Sequence, residues 1–271
     1  MFISHCHVGA TPFGLSDHPE DGTIPRLIEL LDKHDVDGAV VFAPFPHPGL
    51  GWPEGGDSGF TDPNEWLLAR LAEYPRLRGF ATLNPAEPGS ADRLREFVAA
   101  GLVGAKVHPP VQKIALDDPA LDPFWTAAEE LGIPIHLHTG SHGGLLKTYR
   151  PMLLDEVAQA HPNLPLIIDH MGGYALFDEA LAVLHNNRNA YAGFTQASGR
   201  YNVYEIPPHR VKVVLDTVGA DRVVHGLDYP WNADNDLALG EDIAWVRAFA
   251  LSREDTDKIL GGNILRLTAR G

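Results

Sequence analysis

Phe2-Ile3-Ser4-His5-Cys6-His7 opens the chain as a short buried strand that runs directly into two histidines. Side chains alternate across a strand, so His5 and His7 share one face while Cys6 points to the other. Two imidazoles held that close make half of a zinc-type coordination shell, because borderline divalent metals take neutral ring nitrogens. A histidine pair on one strand is more often a satisfied polar pair than a metal site. The metal reading therefore depends on ligands supplied by later strands.

The strand is followed by a Gly/Pro/Asp loop and then by Ile24 to Leu31, which has helical apolar spacing and Thr23 as its cap. That order of strand, loop and helix recurs. Gly38 to Phe42 leads through the Gly/Pro-rich segment 44–59 to a helix opened by Asp62-Pro63, and Arg78 to Leu83 leads to a helix over Ser90 to Ala100. Val103 to His108 precedes a helix over Asp118 to Leu131, and these last two helices are expected to begin on a capping Ser and Asp. Ile133 to His138, Leu164 to Asp169, Asn189 to Thr195 and Arg222 to Leu227 supply four more strands, each with helical spacing after it. Two terminal helices are expected, about Glu241 to Leu251 and Arg253 to Leu267, the second opened by Ser252 with Asp255 three residues on. Eight strand-then-helix units with short apolar strands select a closed parallel (β/α)8 TIM barrel, an α/β fold, with an additional C-terminal helix.

Bulk properties agree with one such barrel. The 271 residues match a fold that usually takes about 250, and 1–271 reads as one domain with no linker, low-complexity tract or tandem repeat. There is no apolar run of about 18 residues to cross a membrane. A net charge of -15, from 36 acids against 21 bases, excludes the basic face that nucleic acid or an anionic membrane requires. The first residues already belong to the fold and form no export signal, so a cytoplasmic location is expected. The single cysteine, Cys6, fits a reducing compartment and a small buried core role. The expected partner is a small-molecule substrate, with a homodimer compatible with the composition.

Chemistry in such barrels lies at the C-terminal ends of the strands. Here those ends carry His5 and His7, Lys106 and His108, His136 and His138, His170, and Asp228. Polar ligand types at five of the eight strand ends point to a metal held by histidines and a carboxylate, with one position left open. Loop residues Trp52, His142, Arg150, Arg200, Tyr201 and Trp231 are further candidates for a pocket, with Arg150, Arg200 and Trp231 expected at the substrate. The glycine-rich loop after the second strand is a candidate lid.

Taken in order, His5-Cys6-His7, Gly104-Ala105-Lys106-Val107-His108-Pro109, His138-Thr139-Gly140, Asp169-His170-Met171-Gly172-Gly173 and Gly226-Leu227-Asp228-Tyr229-Pro230 resemble the amidohydrolase superfamily. The branch resembled is the amidohydrolase-related one, which includes aminocarboxymuconate-semialdehyde decarboxylase and small lactonases. The resemblance implies that His5, His7, His138 and Asp228 bind one divalent metal, usually zinc, with manganese as the alternative. It implies that Asp228 also takes a proton from water and that His170 contacts water or substrate. Binuclear members carry a carboxylated lysine at the position of Lys106. Here Lys106 is expected uncarboxylated, beside His108 as a substrate or supporting group, and His136 as interior filling or a supporting group behind the ligands. The expected activity is hydrolysis of a small ester, lactone or amide, with non-oxidative decarboxylation of a small unsaturated or aromatic acid as the alternative. Decarboxylases of this branch often carry an arginine in the first connection, where this chain has only Arg26.

Overall fold

The computed structural model describes residues 1–9, 18, 20–45, 60–198 and 203–269. Its strands are β1 (Phe2–His7), β2 (Gly38–Phe42), β3 (Leu77–Phe80), β4 (Ala105–Val107), β5 (Ile135–His138), β6 (Leu166–Asp169), β7 (Ala190–Thr195) and β8 (Val223–Gly226). All adjacent pairs are parallel, in two arcs ordered β1-β2-β3 and β4 through β8. One seam is bridged by Ala81 and Ala105, where the Lys106 amide donates to the Ala81 carbonyl at 2.8 Å. The other is bridged by Cys6 and Tyr229, where the His7 amide donates to the Tyr229 carbonyl at 2.6 Å and the Asp228 amide to the His5 carbonyl at 2.9 Å. The fold is the expected (β/α)8 barrel, closed at two single-bridge seams.

Helices follow the strands as the pattern predicts, and their ends show which local signals act. Thr23 accepts from the Arg26 amide ahead of helix Ile24–Lys33, and Asp62 from the Asn64 amide ahead of Pro63–Leu71. Ser90, expected as a cap, is instead the first helical residue of Ser90–Ala100. Gly89, at φ +80°, takes the cap position, and the Ser90 hydroxyl donates to the Pro85 carbonyl at 3.0 Å. Asp118 caps a single 3-10 turn, Pro119–Leu121, before helix Asp122–Glu130 begins. The helix expected from Glu241 starts earlier, as Asn235–Arg247, because Asp234 accepts from the Leu237 amide at 2.9 Å. Ser252 opens Arg253–Asp257 as expected, and a π turn over Lys258–Gly262 joins it to Asn263–Leu267.

Two apolar layers result. One lies between strands and helices and includes Ile3, Cys6, Val41 and Val223. The other fills the barrel with Phe2, Val40, Phe42, Phe80, Ile167, Val224 and Ile264. Ile264 belongs to the final helix, which plugs the N-terminal end of the barrel. That approach needs Gly261, where a Cβ would sit 2.5 Å from the Phe2 nitrogen. In β1 the register to β2 shifts between Ile3 and Cys6. This bulge lets Phe2, His5 and His7 all face inward while Ile3 and Cys6 face outward.

Candidate metal centre

Three ring and carboxylate atoms converge at the C-terminal mouth. His5 Nε2 lies 3.2 Å from His7 Nε2, and Asp228 Oδ1 lies 3.0 Å from the first and 3.3 Å from the second. A tetrahedral ion with bonds of about 2.0–2.1 Å has ligand–ligand edges of about 3.4 Å. The triangle therefore has the dimensions of one face of such a shell. Asp228 reaches it because the chain turns at φ +59° immediately after β8. His170 after β6 and Gln196 after β7 turn in the same way, at φ +60° and +54°. Left-handed backbone at three neighbouring strand ends is costly for residues with a side chain and is found where function holds it. Gly226 makes room for His5, since a Cβ there would come within 2.5 Å of the His5 Cβ.

His138 stands beside this triangle and outside it. Among the described residues, two groups have ligand atoms within 4.8 Å of one another, His5 with His7 and Asp228, and His5 with His136 and Asp169, and His138 is in neither. The His138 Nε2 is nonetheless buried without a hydrogen-bond partner, and its ring stacks on His108 at 3.9 Å between centroids, 4.9 Å from His170. A buried orphan nitrogen of this kind is what a ligand or ion satisfies. His170 donates its Nδ1 proton to the Thr195 carbonyl, 3.0 Å away, which leaves Nε2 facing Asp228 Oδ2 at 3.9 Å.

Burial pushes the imidazoles of His7 and His170 down to about 4, and holds His108 and His138 well below the usual histidine range. Burial alone would raise Asp228, but the charges and hydrogen bonds of His5 and His7 prevail and keep its carboxyl well below the usual range. Neutral His7 and His138 rings beside an ionised carboxylate suit a divalent cation, which takes deprotonated ligands. Zinc or manganese chemistry therefore fits the donor set.

Other expected residues are distributed as follows. Trp231 lies with its ring 6.1 Å from His7, and His142 sets its ring edge-on to His108 at 4.5 Å and to His138 at 5.0 Å. Lys106, expected as a substrate or supporting group, is fully buried inside the barrel and pairs with Asp169. Arg150, also expected there, is half exposed and is held on the outer rim by both carboxylate oxygens of Glu179. Arg200, Tyr201, Trp52 and the candidate lid lie outside the described residues.

Two residues without an assigned role in the sequence reading join the site. Tyr204 stacks on His170 at 4.1 Å, and Asp169 binds His136 Nδ1 at 2.7 Å, His5 Nδ1 at 3.2 Å and Lys106. The position of Asp169 at a strand end, immediately before His170, was the available signal. For Tyr204, nine residues past the end of β7 in a loop, no pattern pointed inward.

A parallel barrel with histidines and aspartate gathered at its C-terminal mouth defines a metal-dependent enzyme class. Residues 13–268 match the family described as Amidohydrolase, and the chain belongs to that family. It is 25% identical to gamma-resorcylate decarboxylase of Rhodococcus jostii (strain RHA1), covering 72% of each chain. Its fold matches 5-carboxyvanillate decarboxylase from Novosphingobium aromaticivorans, solved with manganese and a nitrobenzoic acid. That match has a TM-score of 0.73 and 16% identity, over 98% of this chain and 95% of that one. It also matches a protein assigned as a 2-pyrone-4,6-dicarboxylic acid hydrolase from Acinetobacter baumannii, solved with citric acid. Here the TM-score is 0.68 and the identity 18%, over 98% of each chain. No described helix is long and apolar enough to cross a membrane.

Proposed function

We propose that this protein is a metal-dependent decarboxylase of small aromatic carboxylic acids. The observation that carries the reading is the His5, His7 and Asp228 triangle beneath a mouth walled by flat rings. Phe45 lies 6.1 Å from His7 and 5.8 Å from His108, Trp231 lies over His7, and Tyr204 lies on His170. A planar aromatic acid suits such walls, since stacked and edge-on ring contacts favour flat partners. The decarboxylase relatives support the same choice over hydrolysis, which was the first expectation.

His5, His7 and Asp228 would hold the ion, with His138 Nε2 as a fourth donor. A bound zinc or manganese ion supplies positive charge that polarises the substrate and lowers the pKa of groups it touches. A proton from solvent would pass by way of Asp228 Oδ2 and His170 Nε2, which face each other at 3.9 Å. The bond from the ring carbon to the carboxylate breaks, its electron pair stays on that carbon, and the proton is delivered there as carbon dioxide leaves. His170 is kept in the needed orientation by its Nδ1 bond to Thr195, which leaves Nε2 as the working nitrogen.

One observation favours hydrolysis as a second reading. Arg26, the arginine of the first connection, is tied to Asp21 at 3.3 Å and Glu29 at 3.2 Å and so is not free to clamp a carboxylate. A single assay separates the two. Protein loaded with Zn2+ or Mn2+ is given dihydroxybenzoates, 5-carboxyvanillate and a pyrone dicarboxylate lactone. Carbon dioxide release that stops on chelation is expected, and lactone opening with no carbon dioxide from any acid would overturn the proposal.

A further inference from the structure

We propose that Asp169 is the positioning residue of the metal centre, fixing His5 so that Nε2 is the nitrogen offered to the ion, and that Lys106 is its built-in counter-ion. This rests on the reading of His5 as a metal ligand. Asp169 is fully buried, and so are Lys106 and His136. Its two oxygens have separate tasks. Oδ2 pairs with the Lys106 ammonium, while Oδ1 takes His136 Nδ1 at 2.7 Å and His5 Nδ1 at 3.2 Å. The only other polar atom near His5 Nδ1 among the described contacts is the Thr195 hydroxyl at 3.5 Å. A carboxylate oxygen accepts and does not donate, and Nε2 faces one as well, Asp228 Oδ1 at 3.0 Å; with an ion seated between those two atoms, the His5 ring proton belongs on Nδ1, beside Asp169. The lone pair is then on Nε2, which is the atom in the triangle with His7 and Asp228.

The ring has no freedom to exchange the two nitrogens. Phe42 lies edge-on to His5 at 4.6 Å and tilted against His136 at 5.2 Å, with the Lys106 ammonium 5.2 Å from the same phenyl ring. A carboxylate that fixes the tautomer and raises the basicity of a ligating histidine typically strengthens metal binding about 10–100-fold. Lys106 answers a different need, because a lone carboxylate in this interior would be an unpaired buried charge. Converting the Lys106 amine to a carbamate would set a second anion against Asp169.

The double variant Asp169→Leu/Lys106→Met removes both charges and keeps side-chain volume, which separates positioning from charge balance. Zn2+ affinity is read by chelator competition, and the site's geometry by the visible absorption of the Co2+-loaded protein. The expected result is a metal-free melting temperature near that of the wild type, Zn2+ binding weakened about 10–100-fold, and a shifted Co2+ spectrum. Affinity within about twofold of the wild type would overturn the inference. Long-range 1H–15N correlation on the Zn2+-loaded wild type gives a reading that does not depend on the variant folding. A proton on His5 Nδ1 is expected, and a proton on Nε2 would overturn the inference. A wild type that takes up no Zn2+ overturns the metal reading as a whole. Wild-type uptake with an unaffected variant overturns only the role of Asp169.

Discussion

β2 and β3 send Val40, Phe42 and Phe80 into the barrel, whereas β1, β4, β5 and β6 send His5, His7, Lys106, His136 and Asp169 into the same space. Two strands make an apolar wall and four a charged network. The difference teaches that neither works alone. With water excluded by the wall, charges in the network interact through a low local dielectric and must satisfy one another. Phe42 stands at the boundary, with ring contacts to His5, His7 and His136 at 4.6, 5.0 and 5.2 Å.

The largest effect is expected on the charged side. Asp228→Asn keeps the shape of the triangle and removes its charge, and kcat/KM should fall about 10²–10⁴-fold with no loss of melting temperature. Steady-state kinetics beside a thermal melt test this, and a near-wild-type rate would show the carboxylate to be dispensable.

On the apolar side, Phe42→Ala should cost about 3–5 kcal/mol in equilibrium denaturation, since it opens a cavity between both halves of the network. A loss under about 1 kcal/mol would mean that the polar arc stands without its wall.

A third test asks whether burial matters outside the barrel as it does inside. His225 on β8 faces the outer layer, with neither ring nitrogen hydrogen-bonded and Asp242 3.9 Å away. Burial lowers its pKa to about 4. Between the unfolded value of about 6.5 and the folded value near 4, only the unfolded chain takes up the proton. Stability therefore falls as pH drops through that window, by about 1.4 kcal/mol for each pH unit. In metal-free protein, His225→Gln should flatten the denaturation midpoint against pH, and parallel curves for variant and wild type would refute this. The smallest effect belongs to the rim. Arg150→Ala breaks an exposed pair and should leave kcat/KM within about twofold and the melting temperature unchanged. A tenfold loss would place that arginine at the substrate after all.

Much of the barrel was legible in the chain, because strand and helix periodicities are local. The strands lie within a few residues of their expected places, and Thr23, Asp62 and Ser252 cap as their chemistry suggests. Ser90 misled because capping depends on the backbone angle entering the helix, and Gly89 supplied it; Asp118 caps as expected, and what it opens first is a 3-10 turn. Lys106 was legible only in part. Its parity with His108 was right, but parity says nothing of depth, and its partner Asp169 lies 63 residues away.

The sequence by itself determined the order of the units and the family, together with the histidines and the aspartate at the strand ends. Alternation along a strand and position within a repeat are enough for that. Only the tertiary structure decided that His5, His7 and Asp228 form one triangle while His138 stands beside it. It also revealed that Asp169 joins three strands and that Arg150 stays on the rim. Those facts depend on barrel closure, on the bulge in β1 and on the left-handed turns after β6, β7 and β8. Distances between side chains on different strands follow from such features and not from spacing along the chain.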